Sequence, residues 1–114
     1  MIQIYHNSRC GKSRKALDFV EKSKKEYQVI NYLVAVPTFD ELFAIIKKLD
    51  LTPLALVRSK EKIWIENYKN TTLTDDEVIK AMVLNPILIE RPILVAGNKA
   101  IIGREEAVVA AFLL

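Results

Sequence analysis

The chain has 114 residues, of which 51% are hydrophobic and 27% charged, and its formal net charge is +3. This length suits one domain with one core, since domains usually have ~100–150 residues. Basic and acidic residues are interleaved, so no basic stripe of the kind that binds nucleic acid is present. Every apolar run, residues 92–96 among them, is far shorter than the roughly 20 residues of a membrane span. We therefore expect neither nucleic acid nor membrane as a partner, and small anions are the better candidates.

Cysteine and histidine each occur once, as Cys10 and His6. A single cysteine cannot form an internal disulfide, and together with one histidine it falls short of the usual ligand set of a metal site. We therefore expect no bound metal. Because no signal-peptide pattern opens the sequence, we expect a reducing, cytoplasmic location.

The first third of the chain predicts a βαβ unit. Residues 1–6 form an apolar run typical of a buried strand, and a helix is predicted from about Gly11 to Lys24 because apolar residues recur there at helical spacing. Residues 27–32 alternate enough to be a second strand. A strand, a crossover helix and a strand predict parallel pairing with a right-handed connection.

The middle of the chain predicts helices. Thr38 with Glu41 forms a capping-box pattern that opens a helix to about Asp50. Thr52-Pro53 repeats the start signal, a cap residue followed by proline at the first helical position, and predicts a short helix leading to Arg58 and Ser59.

Two further helices are predicted after that. Residues 61–67 are ambiguous between helix and strand, and we favour helix. Thr74 with Glu77 is a second capping box, and the helix that it opens ends at Asn85-Pro86 because the residue before proline avoids the α region.

The last part predicts a hairpin and a helix. Residues 91–95 and 99–103 are apolar runs joined by a Gly97-Asn98 turn, which is typical of antiparallel strands. Residues 105–114 then form an apolar-faced helix. The whole order, βαβ, a helical insertion at about 38–84 and ββα, predicts one α/β domain over residues 1–114: a mixed four-stranded sheet with helices on both faces, of the thioredoxin-like (glutaredoxin-like) type.

Cys10 lies where the first strand gives way to the first helix. Unpaired N–H groups and the macrodipole at a helix N-terminus favour an anion, and the thiolate is the reactive form of cysteine. His6, Arg9, Lys12 and Arg14 surround it in sequence. We interpret Cys10 as a reactive thiol rather than an inert core residue. Because Ser13 stands where a dithiol motif has its second cysteine, an external thiol must resolve any adduct.

Four sequence elements carry a resemblance to a known family: His6-Asn7-x-x-Cys10-Gly11-x-Ser13-Arg14, then Arg58, Glu90-Arg91-Pro92 and Gly103-Arg104. In this order and spacing the chain resembles the arsenate reductase family of the glutaredoxin type. Two departures are Ser8, where proline is common, and an end at Leu114, where the best-studied members continue.

The resemblance implies roles for individual residues. It implies that Cys10 is the nucleophile, that His6 lowers the pKa of the thiol and that Pro92 follows a cis bond. Guanidinium groups suit tetrahedral oxyanions, and the resemblance implies an oxyanion cage of Arg58, Arg91 and Arg104. The remaining residues that it implies in substrate binding are Gly11, Lys12, Ser13, Arg14 and Pro92.

The function implied by the resemblance is reduction of arsenate to arsenite by a monomer. Glutathione would be the co-substrate and glutaredoxin a partner, with no bound cofactor. Two alternatives stay open: a glutathione-dependent thiol-disulfide transferase, and a non-catalytic regulator of the same fold that binds RNA polymerase. Such regulators usually carry a Cys-x-x-Cys switch, so Ser13 and the three arginines count against that alternative.

Overall fold

The computed structural model describes residues 1–114, which form two compact units: Met1–Ala35 with Arg91–Leu114, and Val36–Glu90. In chain order the elements are β1 (Ile2–His6), α1 (Gly11–Lys22), β2 (Tyr27–Asn31), α2 (Phe39–Leu49), α3 (Lys62–Asn67), α4 (Asp75–Leu84), β3 (Ile93–Ala96), β4 (Lys99–Ile102) and α5 (Glu106–Phe112). Short 3₁₀ turns occur at Pro53–Leu56 and Pro86–Leu88.

The first unit contains the whole sheet, in the strand order β2-β1-β3-β4. Strands β1 and β2 are parallel, with Ile4 opposite Val29, whereas β1–β3 and β3–β4 are antiparallel. The hairpin turns at Gly97, whose φ of +59° suits glycine. The predicted mixed four-stranded sheet, its parallel βαβ unit and its C-terminal hairpin are therefore confirmed.

Helices α1 and α5 pack on one face of this sheet. Because side chains alternate across a strand, Ile2 and Ile4 of β1 share that face with Leu94 of β3. Their partners from the helices complete the buried cluster: Ala16, Val20 and Val109. This packing fixes the start of α1 relative to the end of β1, where the predicted site lies.

The second unit contains α2, α3 and α4. Both predicted capping boxes are present: the Glu41 N–H donates to Thr38 Oγ1 at 3.2 Å while Glu41 Oε1 accepts the Thr38 N–H at 2.9 Å. Thr74 and Glu77 repeat the arrangement at 3.2 and 3.0 Å. The ambiguous segment 61–67 is helical from Lys62, as favoured. The prediction of one domain with an insertion at about 38–84 stays a prediction.

Three predicted helices end earlier in the structure than the sequence pattern indicates. Helix α1 ends at Lys22 rather than near Lys24, since Lys24 has a φ of +60°. Helix α2 ends at Leu49, because Asp50 is left-handed with a φ of +57°. Helix α5 is shorter than predicted and covers Glu106–Phe112.

The start signal at Thr52-Pro53 is confirmed in position only, with Pro53 at the start of the segment and Thr52 as its N-cap residue. The side chain of Thr52 makes no capping hydrogen bond, and the segment that follows is a single 3₁₀ turn. The chain becomes extended directly after that turn, where Val57 forms a bridge to Ile89. The turn therefore stops before an α-helix can develop.

Candidate functional site

A four-residue loop, residues 7–10, connects β1 to α1. The Asn7 carbonyl accepts the Cys10 N–H at 3.0 Å, and Asn7 Oδ1 accepts the Arg9 N–H at 3.0 Å. Asparagine suits such turns because its side chain bonds the backbone two residues on. The turn delivers Cys10 to the N-cap position of α1 with φ −93° and ψ 120°.

The Cys10 thiol is buried, and its pKa lies below the ordinary value. Burial is the largest single influence and raises the pKa, but other influences together outweigh it. The backbone N–H of Ser13 lowers the pKa first, followed by the hydrogen bond and charge of the Arg91 guanidinium and by the N–H of Lys12. The sulfur does not close a capping hydrogen bond in the manner of Thr38. The helix N-terminus and one arginine thus stabilise the thiolate.

His6 and Ser13 form a buried polar pair that joins the end of β1 to the first turn of α1. His6 Nδ1 lies 2.6 Å from Ser13 Oγ, which also accepts the Asn7 N–H at 3.0 Å. The pKa of His6 is lowered, chiefly by burial and further by the charge of Arg14, against the opposing hydrogen bond of Ser13. The neutral imidazole is therefore favoured. His6 holds Ser13, the residue whose N–H lowers the pKa of the thiol.

Arg91 and Arg104 meet in the first unit. The Arg91–Pro92 peptide bond is cis, as the resemblance implied. Arg104 Nη1 donates to the Arg91 carbonyl at 2.9 Å, and the Gly103 N–H donates to the Pro92 carbonyl at 2.8 Å. Three of the predicted site residues are thus coupled, since Arg104 bonds the Arg91 carbonyl and the guanidinium of Arg91 lowers the pKa of Cys10.

Arg58 lies in the second unit, just after the 3₁₀ turn. Its N–H donates to the Leu88 carbonyl at 2.7 Å. Its guanidinium pairs with Glu61 at 3.3 Å and with Glu90 at 3.9 Å. Both carboxylates belong to the same unit, and the role of Arg58 toward an oxyanion stays a prediction.

The start of α1 is basic and exposed. Lys12 and Arg14 are exposed, Arg14 Nη1 donates to the Ser8 carbonyl at 3.1 Å, and the first turn has no acidic residue. A Cβ added at Gly11 would meet only Arg14, at 3.8 Å. The substrate-binding roles of Gly11, Lys12, Ser13, Arg14 and Pro92 stay predictions.

Sequence reasoning missed the functions of Asn7 and Gly103. A Cβ on Gly103 would lie 2.9 Å from Leu94 Cδ1 and 3.1 Å from Val109 Cγ2. Glycine therefore allows the connection between β4 and α5 to approach Pro92. Asparagine in a short strand-to-helix loop was a usable signal, whereas the need for glycine at 103 depends on tertiary packing.

Comparison with known proteins places this site in a family. The ArsC family model matches residues 5–112. The chain belongs to the ArsC family. An arsenate reductase of Neisseria meningitidis serogroup A is 38% identical over 105 residues, which cover 90% of each protein. An arsenate reductase of Yersinia enterocolitica is 41% identical over 95 residues, covering 82% of this chain and 67% of that protein.

Solved structures place this ArsC family member in the thioredoxin-like fold. An arsenate reductase from Vibrio cholerae superposes with a TM-score of 0.90 at 38% identity, covering 96% of this chain and 95% of that one. No helix is both long and apolar enough to cross a membrane. No group of three or more histidine, cysteine, aspartate and glutamate side chains is arranged to hold a metal ion.

Proposed function

We propose that this ArsC family protein reduces arsenate to arsenite, with Cys10 as nucleophile and glutathione and glutaredoxin as the external reductants. The observation that carries the proposal is the Cys10 thiol, whose pKa is lowered, after the opposing effect of burial, by the N–H of Ser13 and by Arg91. Relatives named arsenate reductase support the choice of arsenate as the oxyanion.

In the first step the Cys10 thiolate forms a bond to arsenic(V). One arsenate oxygen takes up protons and leaves as water, which gives a sulfur–arsenic adduct. Negative charge on the remaining oxygens is neutralised by guanidinium groups, as in an oxyanion hole. We assign that neutralisation to Arg58, Arg91 and Arg104, with Gly11, Lys12, Ser13, Arg14 and Pro92 shaping the binding loop.

In the second step glutathione thiolate attacks the sulfur of Cys10. The electron pair of the sulfur–arsenic bond stays on arsenic, which leaves as arsenite, and a Cys10–glutathione disulfide remains. Glutaredoxin then reduces this disulfide and restores the thiol. An external thiol is required because Cys10 is the only cysteine and Ser13 occupies the place of a resolving one.

His6 supports the chemistry through Ser13 rather than as a general base. A thiolate that already exists near neutral pH needs no base to remove its proton. The neutral ring, 2.6 Å from Ser13 Oγ, keeps Ser13 in place, and the N–H of Ser13 lowers the pKa of the thiol.

The test is arsenate-dependent oxidation of NADPH in the presence of glutathione, glutaredoxin and glutathione reductase. We expect turnover that falls at least about 10³-fold in Cys10→Ser, because the nucleophile is removed. We expect a loss of about 10²-fold in Arg91→Ala, because an oxyanion donor and a thiolate partner disappear together.

Absence of turnover at millimolar arsenate contradicts the proposal. The same assay without glutaredoxin, and with a glutathione mixed disulfide in place of arsenate, distinguishes the thiol transferase alternative, because glutaredoxin itself reduces such disulfides. Turnover of the mixed disulfide without turnover of arsenate assigns Cys10 to thiol–disulfide transfer.

A further inference from the structure

We propose that Arg104 is a positioning residue, whose hydrogen bond to the Arg91 carbonyl keeps the Arg91 guanidinium on the sulfur of Cys10. The inference rests on the proposed function only in taking the thiolate as the nucleophile. In this role Arg104 acts on the Cys10 thiol, through Arg91, before any oxyanion binds.

The geometry pairs two adjacent carbonyls with two adjacent donors. Arg104 Nη1 donates to the Arg91 carbonyl at 2.9 Å, and the Gly103 N–H donates to the Pro92 carbonyl at 2.8 Å. The connection between β4 and α5 thus clamps the Arg91–Pro92 step at successive positions. A bond from a charged donor is about twice as strong as a neutral one, so Arg104 supplies the stronger half of this clamp.

Close packing makes the clamp possible. Gly103 is buried, and a Cβ there would lie 2.9 Å from Leu94 Cδ1 and 3.4 Å from Pro92 Cγ. The backbone at 103 therefore lies directly against Pro92, and the side chain of the next residue reaches back one position to Arg91. A shorter side chain at 104 cannot make the same bond.

The clamp acts on the thiol through Arg91. The hydrogen bond and charge of Arg91 act on the Cys10 sulfur, alongside the N–H groups of Ser13 and Lys12. His6 and Arg14 also lie in this region, where His6 Nδ1 is 2.6 Å from Ser13 Oγ and the charge of Arg14 lowers the pKa of His6. A hydrogen bond weakens steeply when its geometry degrades. Loss of the hydrogen bond to the Arg91 carbonyl therefore weakens the interaction of the Arg91 guanidinium with the thiolate. The N–H groups of the helix stay in place.

The experiment is the pH dependence of alkylation by iodoacetamide, without arsenate or glutathione. Cys10 is the only cysteine, so alkylation reports this thiol alone. In Arg104→Ala we expect a raised thiol pKa and alkylation about threefold to tenfold slower at neutral pH, the loss of one charged hydrogen bond. Lys99→Ala removes a cation from the exposed end of β4 and is the matched control, with alkylation unchanged.

The double variant decides between positioning and direct action. If Arg104 acts through Arg91, the thiol pKa of Arg91→Ala/Arg104→Ala equals that of Arg91→Ala alone. An additive rise, or no rise in Arg104→Ala, overturns the proposal.

Arg104→Lys keeps the test valid if Arg104→Ala does not fold. One ammonium N–H suffices for one carbonyl. We therefore expect the thiol pKa of this variant to stay close to that of the wild-type protein. A rise in Arg104→Lys as large as in Arg91→Ala overturns the proposal. Because arsenate is absent, these outcomes are independent of whether the protein turns over arsenate.

Discussion

The N-terminus of α1 differs from those of α2 and α4. Thr38 and Thr74 close the latter two with full capping boxes, and acidic residues occupy their first turns. Helix α1 begins with Cys10, which makes no side-chain cap, and its first turn has no acidic residue. Among these three helices, the start is therefore closed twice by the chain's own side chains and left open once.

The difference shows how one physical effect serves two purposes. At α2 the Thr38 N–H lowers the pKa of Glu41, and at α4 the Thr74 N–H lowers that of Glu77. At α1 the N–H groups of Ser13 and Lys12 act in the same direction on a thiol. Backbone donors stabilise a permanent anion at two helices and a reactive one at the third.

The largest effect is expected from Ser13→Ala, which removes the buried support of α1. The substitution leaves the Asn7 N–H and His6 Nδ1 without their bonds of 3.0 and 2.6 Å. Buried groups left unsatisfied cost ~1–3 kcal/mol each, so we expect a loss of about 2–4 kcal/mol in the free energy of unfolding. The measurement is urea denaturation.

Thr74→Ala is the matched control, since it removes an exposed cap from α4. We expect it to cost about 1 kcal/mol. If Ser13→Ala costs no more than Thr74→Ala, the buried pair does not distinguish α1 from the other helices.

A smaller effect is expected when α1 receives the acidic first turn that α2 and α4 have. In Lys12→Glu a carboxylate adjoins the thiol and competes for the helix N-terminus. If this carboxylate destabilises the thiolate by ~0.3–1 kcal/mol, alkylation at neutral pH should slow about twofold to fivefold. Iodoacetamide kinetics against pH measure this, with Lys99→Glu as the charge-matched control.

Salt sharpens this prediction. At about 1 M salt the Debye length falls to ~3 Å, so the effect of Lys12→Glu should shrink. If Cys10 is alkylated as fast in Lys12→Glu as in Lys99→Glu at low salt, the open helix N-terminus does not set the pKa of the thiol.

The features predicted correctly from the sequence are those with local signals. Both capping boxes depend on residues three positions apart, and the hairpin on one glycine turn. The placement of Cys10 at the start of α1 follows from an apolar run and a helical pattern on either side. Thr52-Pro53 shows the limit of such signals, because the same start pattern precedes only a 3₁₀ turn.

The hydrogen bonds within the site could not be predicted in this way. Ser13 meets His6 across seven positions, and Arg104 meets the Arg91 carbonyl across thirteen. Both contacts depend on how closely backbone segments approach, as Gly103 does against Leu94. The sequence therefore indicated which residues matter, while tertiary packing decides whether each acts on the thiol or through a neighbour.

The smallest effect is expected from a change in pH. Mild acid should lower the free energy of unfolding through the start of α1, and only stronger acid through the starts of α2 and α4. The pKa of His6 is lowered from 6.5, chiefly by burial. Between the lowered pKa and 6.5 the unfolded chain binds a proton that the folded protein does not, so stability falls as the pH drops below 6.5. Glu41 and Glu77 have pKa values below 4.5, so their capping boxes lose stability only in stronger acid.

Urea denaturation at about pH 7.5 and about pH 5.5 should show a loss in the free energy of unfolding of the wild-type protein that His6→Gln lacks. Because His6 is the only histidine, an equal loss in His6→Gln would assign the pH dependence to groups outside the α1 site.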